Sequence, residues 1–392
     1  MRVILFAFSL MILPAAAGAG DEEKRILAHI DKLDGKYSAN SYAPSKSVNA
    51  VDLGGTNADD GDLEVIVPLP ELRFLFLRST KISDAGLKYV APLDKLRYLF
   101  LGSTGVTDDG LKHLVGLKAL ENLELSSTKI GDDGLKHLAK LANLSTLDLS
   151  DTQVTAAGLK HLVGLKRLRN LYLPDRVKTD DGLRSYVQVV QPTHLDIHGW
   201  RVTDEGMKHI AGQKQLNKLE AYATSVGDKG LSHLSGLPNL EYLNVSGTQV
   251  TGSGLKALKD LKHLRVLVLS YNAIDAEGMK QLGTLQQLEA LHMAGVKTLT
   301  DASLKTLAGL PRLQVLELAS CPIGDDGMQK LAQSKSIRHL SMFGTQVSDV
   351  GLKHLSEMKQ LRSLVLRSTR VTPEGVEMLR KALPQCSISK KG

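Results

Sequence analysis

Cysteine is nearly absent: the 392-residue chain holds two, Cys321 and Cys386. That excludes a disulfide-stapled scaffold and a zinc cluster built on cysteine. Aromatic residues make up only 4%, with a single tryptophan, Trp200. The 35 glycines and 12 prolines show no collagen-like period. No apolar run reaches the ~20 residues that a membrane-spanning helix needs; the longest, Val3 to Leu13, has eleven. Neither sign of charge dominates. Lys and Arg number 49 against 42 Asp and Glu, a net of +7 spread along the chain, too mild to name an anionic partner. The signatures HExxH, GxxxxGKS/T, GxGxxG and GxSxG are all missing. What is there is 42% hydrophobic and 23% charged residues, the balance of a soluble folded protein rather than a disordered one.

Residues 1–19 read as a signal peptide. Arg2 supplies the positive region, Val3 to Leu13 the apolar region, and Ala17-Gly18-Ala19 a small-residue cleavage site. The expectation is an exported chain that starts near Gly20 or Asp21, with no transmembrane segment after removal. An uncleaved signal anchor is the alternative.

The rest is one sentence repeated. Its glycine recurs at Gly86, Gly110, Gly134, Gly158, Gly182, Gly206, Gly230, Gly254 and Gly278, is replaced by Ser303, and returns at Gly327, Gly351 and Gly375. Eleven of those twelve intervals are 24 residues and one is 25. Such a period excludes the 33-to-47-residue helical repeats. Each unit carries a Leu-x-Leu half, as in Leu123-Glu124-Leu125, whose alternation specifies a strand with the leucines in the core. A Gly-Leu-x-x-Leu-x-x-Leu half, as at Gly134, Leu135, Leu138 and Leu141, suits a turn or two of helix. A lone unit cannot bury its leucines, so the units must stack, with parallel strands on one face and helices on the other.

Several columns then take a structural role. Thr80, Thr104, Thr128, Thr152, Thr224, Thr248, Asn272, Cys321, Thr345 and Thr369 follow the strands at one position; small polar groups there satisfy backbone atoms of the neighbouring turn. Cys321 is thus a structural thiol. Acidic pairs such as Asp108-Asp109, Asp132-Asp133 and Asp325-Asp326 invite a calcium reading, but helix capping, which every unit needs, explains them better. The histidines His113, His137, His161, His209, His233 and His354 run beside a lysine column on the helical face. Side chains on separate parallel helices converge poorly on one zinc ion, and basic charge alone is weak support for nucleic acid.

These motifs identify a resemblance. The TD-x-GL-x-x-L and L-x-L-x-x-T units, over about residues 48–388, resemble bacterial leucine-rich-repeat proteins of the ribonuclease-inhibitor-like, cysteine-containing subtype. The resemblance implies a right-handed α/β solenoid, a horseshoe with a parallel sheet on its concave face and short helices on its convex face. It implies a binding scaffold rather than an enzyme. Eukaryotic relatives of the subtype stand behind an F-box and recruit substrates for ubiquitination; a signal sequence and short cap stand there instead, so that role is not carried over. The expected layout is a signal peptide at 1–19, an N-terminal cap helix and linker at 20–47, the solenoid at 48–375, and a C-terminal cap and tail at 376–392.

Residues flanking the strand leucines are free of core constraint and carry whatever specificity exists. They include Phe74, Phe76, Tyr98 and Phe100 early, and an acidic strip of Glu124, Asp148, Asp151, Asp175, Asp196 and Glu220. Between 171 and 200 the pattern breaks, with Pro174, Pro192, and Trp200 in the threonine column; local rule-breaking marks either function or drift. Tyr172, His194, Asp196, His198, Trp200, Glu220 and Tyr222 are therefore the candidate partner-binding residues. No catalytic residue, metal site or cofactor is assigned. The leading reading is an exported, non-catalytic scaffold that recognises a protein through its concave face, with nucleic acid disfavoured. The alternative is a carbohydrate- or peptidoglycan-binding or structural envelope protein. A glycosidase-like carboxylate pair ranks last, because an open sheet offers no cleft.

Overall fold

The computed structural model describes residues 20–39 and 47–390. The signal-peptide expectation at 1–19, part of the cap linker and the last residues of the tail lie outside them. The chain forms two compact units that meet in sequence at Gln191 and Pro192. Among the described residues the strands form two sheets rather than the expected single one: seven strands from Lys36–Ala39 to Asn170–Tyr172, and nine from His194–Asp196 to Ser387–Ser389.

In both units the repeats pair in parallel and in strict register. Leu123 faces Leu147 in the first, and Leu219, Leu243 and Leu267 align in the second. Most strands are three residues long with the middle leucine buried and its flanks partly exposed. That alternation turns one face of each sheet toward the helices and leaves the other open. Successive leucines in the helical half, such as Leu135, Leu138 and Leu141, are fully buried. The helices are brief, four to seven residues in most repeats, as a 24-residue unit dictates once strand and turns are subtracted. Asp180–Val190 is the exception at eleven residues, ending on Gln191 in the left-handed region.

The repeated glycine has a reason that lies in the previous unit. In most units an aspartate two residues ahead of the glycine reaches forward to the next helix N-terminus; Ala156, Gly252, Ala276 and Pro373 stand at that place instead. Asp84 accepts hydrogen bonds from the amide and hydroxyl of Thr107, Asp132 from those of Thr155, Asp228 from those of Thr251, and Asp349 from those of Thr372, all at 2.6–2.9 Å. A Cβ on Gly110, Gly134 or Gly254 would stand 2.3–2.4 Å from the carboxylate of Asp84, Asp108 or Asp228. The acidic column is thus a staple between units, and the glycine is the space it occupies. Capping of a helix by its own Ser, Thr or Asp, as expected, holds in some units, as at Thr179, Thr203, Asp275, Ser348 and Thr372.

The threonine ladder also differs from expectation. Thr80, Thr128, Thr152 and Thr224 donate to the carbonyl three residues earlier in their own unit, at 2.6–2.7 Å. Reaching the neighbouring turn is left to the two exceptions, Asn272, which donates to the Val245 carbonyl at 2.7 Å, and Cys321, whose thiol lies 3.1 Å from the Met293 carbonyl. Burial raises the Cys321 thiol pKa, keeping it protonated and in that structural role.

The first unit opens with the helix Asp21–Lys32, whose Ile26, Leu27 and Ile30 are buried. His29 Nε2 lies 2.8 Å from the Asp62 carboxylate. An antiparallel strand, Lys36–Ala39, covers the edge of Val48–Asp52, a closure the repeat pattern does not foretell. The second unit ends with the helix Pro373–Ala382 and the edge strand Ser387–Ser389.

Candidate functional site

On the open face of the first unit the early aromatics stand as two stacked pairs. Phe74 and Tyr98 rings lie 4.6 Å apart at 9°, Phe76 and Phe100 4.6 Å apart at 8°. They are half-buried by one another. Arg78 lies 5.2 Å from the Phe100 centroid and binds the Glu124 carboxylate at 2.8 Å. Glu124 also accepts the amides of Gly102 and Ser126. At 2% exposure it contributes nothing to an open acidic strip. Asp148 remains partly exposed and accepts the Ser150 amide. Tyr172, the one candidate in this unit, is 40% exposed at the end of its strand.

The second unit holds the other six candidates and links four of them into a surface array. Asp196 and His198 share one strand edge, with the imidazole Nδ1 2.7 Å from the carboxylate. The His198 ring stacks on Tyr222 at 4.8 Å and 8°. Glu220 receives Lys218 at 3.0 Å and the Asn244 amide at 2.8 Å, and Asn244 in turn accepts the amide and hydroxyl of Ser246. Lys218 sits 4.5 Å from the Tyr242 ring. Burial, then the Glu220 charge, pushes the Tyr242 phenol up to about 12. Burial, then Asp196 and Glu220, raises Tyr222 as well. Both phenols therefore stay neutral donors at physiological pH. His194 is exposed beside Thr193. Trp200 is half-buried at the ladder position, its amide 3.1 Å from the Ile197 carbonyl.

Lys218, Tyr242 and Asn244, which the sequence places on the open face but not among the seven candidates, complete the array. The signal was present: they occupy the same strand-flanking columns as Glu220. Farther along, His292 Nδ1 lies 2.8 Å from Glu317. That hydrogen bond, against the opposing effect of burial, holds the Glu317 carboxyl below its usual range. Tyr271, the most exposed large apolar side chain among the described residues at 69%, adopts a left-handed backbone (φ 61°) where other units place Ser, Gly, Asp or Ala. A Cβ on Gly295 would meet its ring at 2.5 Å, so the ring rests over that glycine. A bulky residue held in this region is strained.

The helical face is less basic than its lysine column suggests. Lys112, Lys136 and Lys208 each pair with an acidic residue three positions earlier, Asp109, Asp133 and Glu205. Burial, then Lys112 and Lys88, lowers the His113 pKa. Among the described residues no group of three or more His, Cys, Asp or Glu is placed to hold a metal ion, and no helix is long and apolar enough to cross a membrane.

Comparison with known proteins points to the fold. Residues 118–139, 140–163, 236–259, 260–283 and 310–332 match the leucine-rich-repeat family model. No curated protein matches the chain at a significant level. A leucine-rich-repeat protein of Leptospira interrogans is similar in structure, with 21% identity over 90% of this chain and 93% of that one and a TM-score of 0.58. An internalin of Listeria monocytogenes shows 19% identity over 94% of both chains, TM-score 0.48. A plant peptide hormone receptor, solved with its peptide, shows 13% identity over 84% of this chain and 68% of that one, TM-score 0.47.

Proposed function

We propose that this leucine-rich-repeat solenoid is an exported, non-catalytic scaffold that recognises a protein partner through the open, concave face of its strands. Proteins of this fold generally serve as binding scaffolds. The composition of residues 1–19 supports export. The observation that carries the recognition reading is the array of Asp196, His198, Lys218, Glu220, Tyr222, Tyr242 and Asn244. These side chains fill positions the core does not constrain, yet they hold one another in fixed orientations, with Asp196 58% and His198 44% exposed and Glu220 16%. Fixing polar and aromatic groups before binding lowers the entropic cost of association, and aromatic residues at such positions are common binding anchors. His194, Asp196, His198, Trp200, Glu220 and Tyr222 form the proposed contact set; Tyr172 is proposed as a separate contact on the first unit.

The test is cross-linking of the mature protein in envelope extract from its own organism, followed by mass spectrometry. A variant carrying Asp196→Ala, Glu220→Ala and Tyr222→Ala, with its unfolding midpoint checked, is the control. A defined protein captured by the unmodified chain and lost from the variant supports the proposal. Equal capture by both sinks the site. Capture of none, with soluble glycans raising the melting temperature, sinks the protein-partner reading.

A further inference from the structure

The turn that follows the strand in most repeats passes through the left-handed region on a small or short polar residue, as at Ser127, Gly247, Ser320 and Gly344. Tyr271 is the aromatic exception among the described residues. Its ring is seated on Gly295 of the next repeat, where a Cβ would stand 2.5 Å from two ring carbons. With 69% of the residue exposed, the opposite ring face is open to solvent. A large side chain kept at a backbone conformation that disfavours it, and laid flat on a glycine, is an aromatic plane fixed in advance.

A second exposed ring stands two repeats beyond Gly295. Phe343, 41% exposed, lies in the turn after the strand His339–Ser341. Strands ~4.8 Å apart put this ring about 10 Å along the sheet from the Tyr271 plane. The two intervening turns supply Ala294, Gly295, Ala319 and Ser320 at the same positions, so no side chain longer than serine rises from the floor. Polar groups border that floor. Ahead of it stands the Glu317 carboxylate, 2.8 Å from His292 Nδ1. After it, the Lys297 ammonium crosses to the Ser320 carbonyl at 2.9 Å.

Flat rings over a level floor select the shape of a ligand. An anchoring side chain of a protein is held best in a pocket that surrounds and dries it, whereas small residues here leave the planes without walls. A pyranose with equatorial substituents carries axial C–H bonds on both faces, and these fit the electron-rich face of an aromatic ring. Its hydroxyls project sideways, toward an accepting carboxylate and a donating ammonium. In a β-1,4-linked chain successive sugars alternate in facing, so the same face recurs with each disaccharide, about the length of two strand spacings. Single-stranded nucleic acid also stacks on aromatics, but along a positively charged groove; here Glu317 lies beside the floor.

We propose that Tyr271 and Phe343 form a saccharide-stacking site on the turn side of the second unit's sheet, for a β-1,4-linked chain of gluco-configured sugars, with Glu317 and Lys297 taking the hydroxyls. The site uses none of the seven candidate partner-binding residues, so it stands apart from the protein-recognition reading.

The test is calorimetric titration of the mature chain with cellohexaose and chitohexaose, and with maltohexaose, whose α-1,4 links curve the chain. The expected result is binding of at least one β-linked hexaose, about tenfold or more tighter than maltohexaose, and a further tenfold weakening by Tyr271→Ser and by Phe343→Ala. Serine suits the turn at 271, so that variant's unfolding midpoint equals or exceeds the unmodified chain's, and its loss of binding is not misfolding. Asp196→Ala with His198→Ala leaves sugar binding intact. No binding of either β-linked hexaose at millimolar concentration overturns the proposal. So does affinity untouched by both aromatic substitutions, maltohexaose bound equally well, or a deoxythymidine decamer bound more tightly through the same two rings. None of these outcomes touches the protein-recognition reading. Sugar binding lost with Asp196→Ala and His198→Ala but kept by Tyr271→Ser would overturn this site and count against that reading as well.

Discussion

Asp228→Ala lowers the unfolding free energy by about 2 kcal/mol, Gly254→Ala by a similar amount, and the double variant by little more than either. The Asp228 carboxylate accepts the Thr251 amide at 2.7 Å, the Thr251 hydroxyl at 2.6 Å and the Ser253 hydroxyl at 2.5 Å. A Cβ on Gly254 would lie 2.4 Å from its Oδ1, so alanine there expels the carboxylate from these bonds. With the carboxylate gone, the methyl meets mainly the shortened residue 228, and the two losses overlap. Simple additivity in urea unfolding would show that the glycine is needed for something other than the staple. The pH dependence follows with a definite sign. Burial would raise the Asp228 pKa, but hydrogen bonds from Ser253 and Thr251 outweigh it and hold the carboxyl below its usual range. A carboxylate lowered in the folded state stabilises above its unfolded pKa, near ~4, and loses that contribution as pH falls through the folded value. The gap between the unmodified chain and Asp228→Ala is therefore constant from pH 5 to 8 and closes on the acid side.

Leu243→Ala costs about 3 kcal/mol, and its effect is local. Leu243 is fully buried and pairs in register with Leu219 and Leu267. Removing its isobutyl group opens a cavity that a stack of short, rigid strands cannot collapse. Each repeat touches its neighbours alone, so amide-exchange protection should drop first in Lys218–Glu220 and Val266–Val268 and persist in Ser363–Val365. Uniform loss across the nine-stranded sheet would contradict the nearest-neighbour picture.

Periodicity within a unit was legible; interactions between units were not. Leu-x-Leu and the glycine interval placed strand, helix and core, because leucine burial repeats every 24 residues. The Asp228–Gly254 relation spans two repeats, so it emerges only when register is known, and a column of aspartates reads as capping until then. Glu124 looked exposed because its position flanks a strand leucine, yet Arg78, 46 residues earlier, folds over it. Its strand neighbours explain this: Phe100 supports the guanidinium. Of the seven candidate residues, Asp196, His198, Glu220 and Tyr222 prove to be linked neighbours. Column position alone cannot tell a large side chain that packs from one that projects. The antiparallel strand Lys36–Ala39 carries no repeat signature at all, since it caps the array rather than belonging to it.

The most direct test is an affinity series on the captured partner, with single alanine substitutions at Asp196, His198, Glu220, Tyr222 and Tyr242 on the open face and at Lys112, Lys136 and Lys208 on the helical face. The expected result is losses of tenfold or more, about 1.4 kcal/mol each, at two or more of the open-face positions, with unfolding midpoints unchanged and the helical-face variants binding normally. Losses confined to Lys112, Lys136 and Lys208, with the open-face series silent, would contradict it.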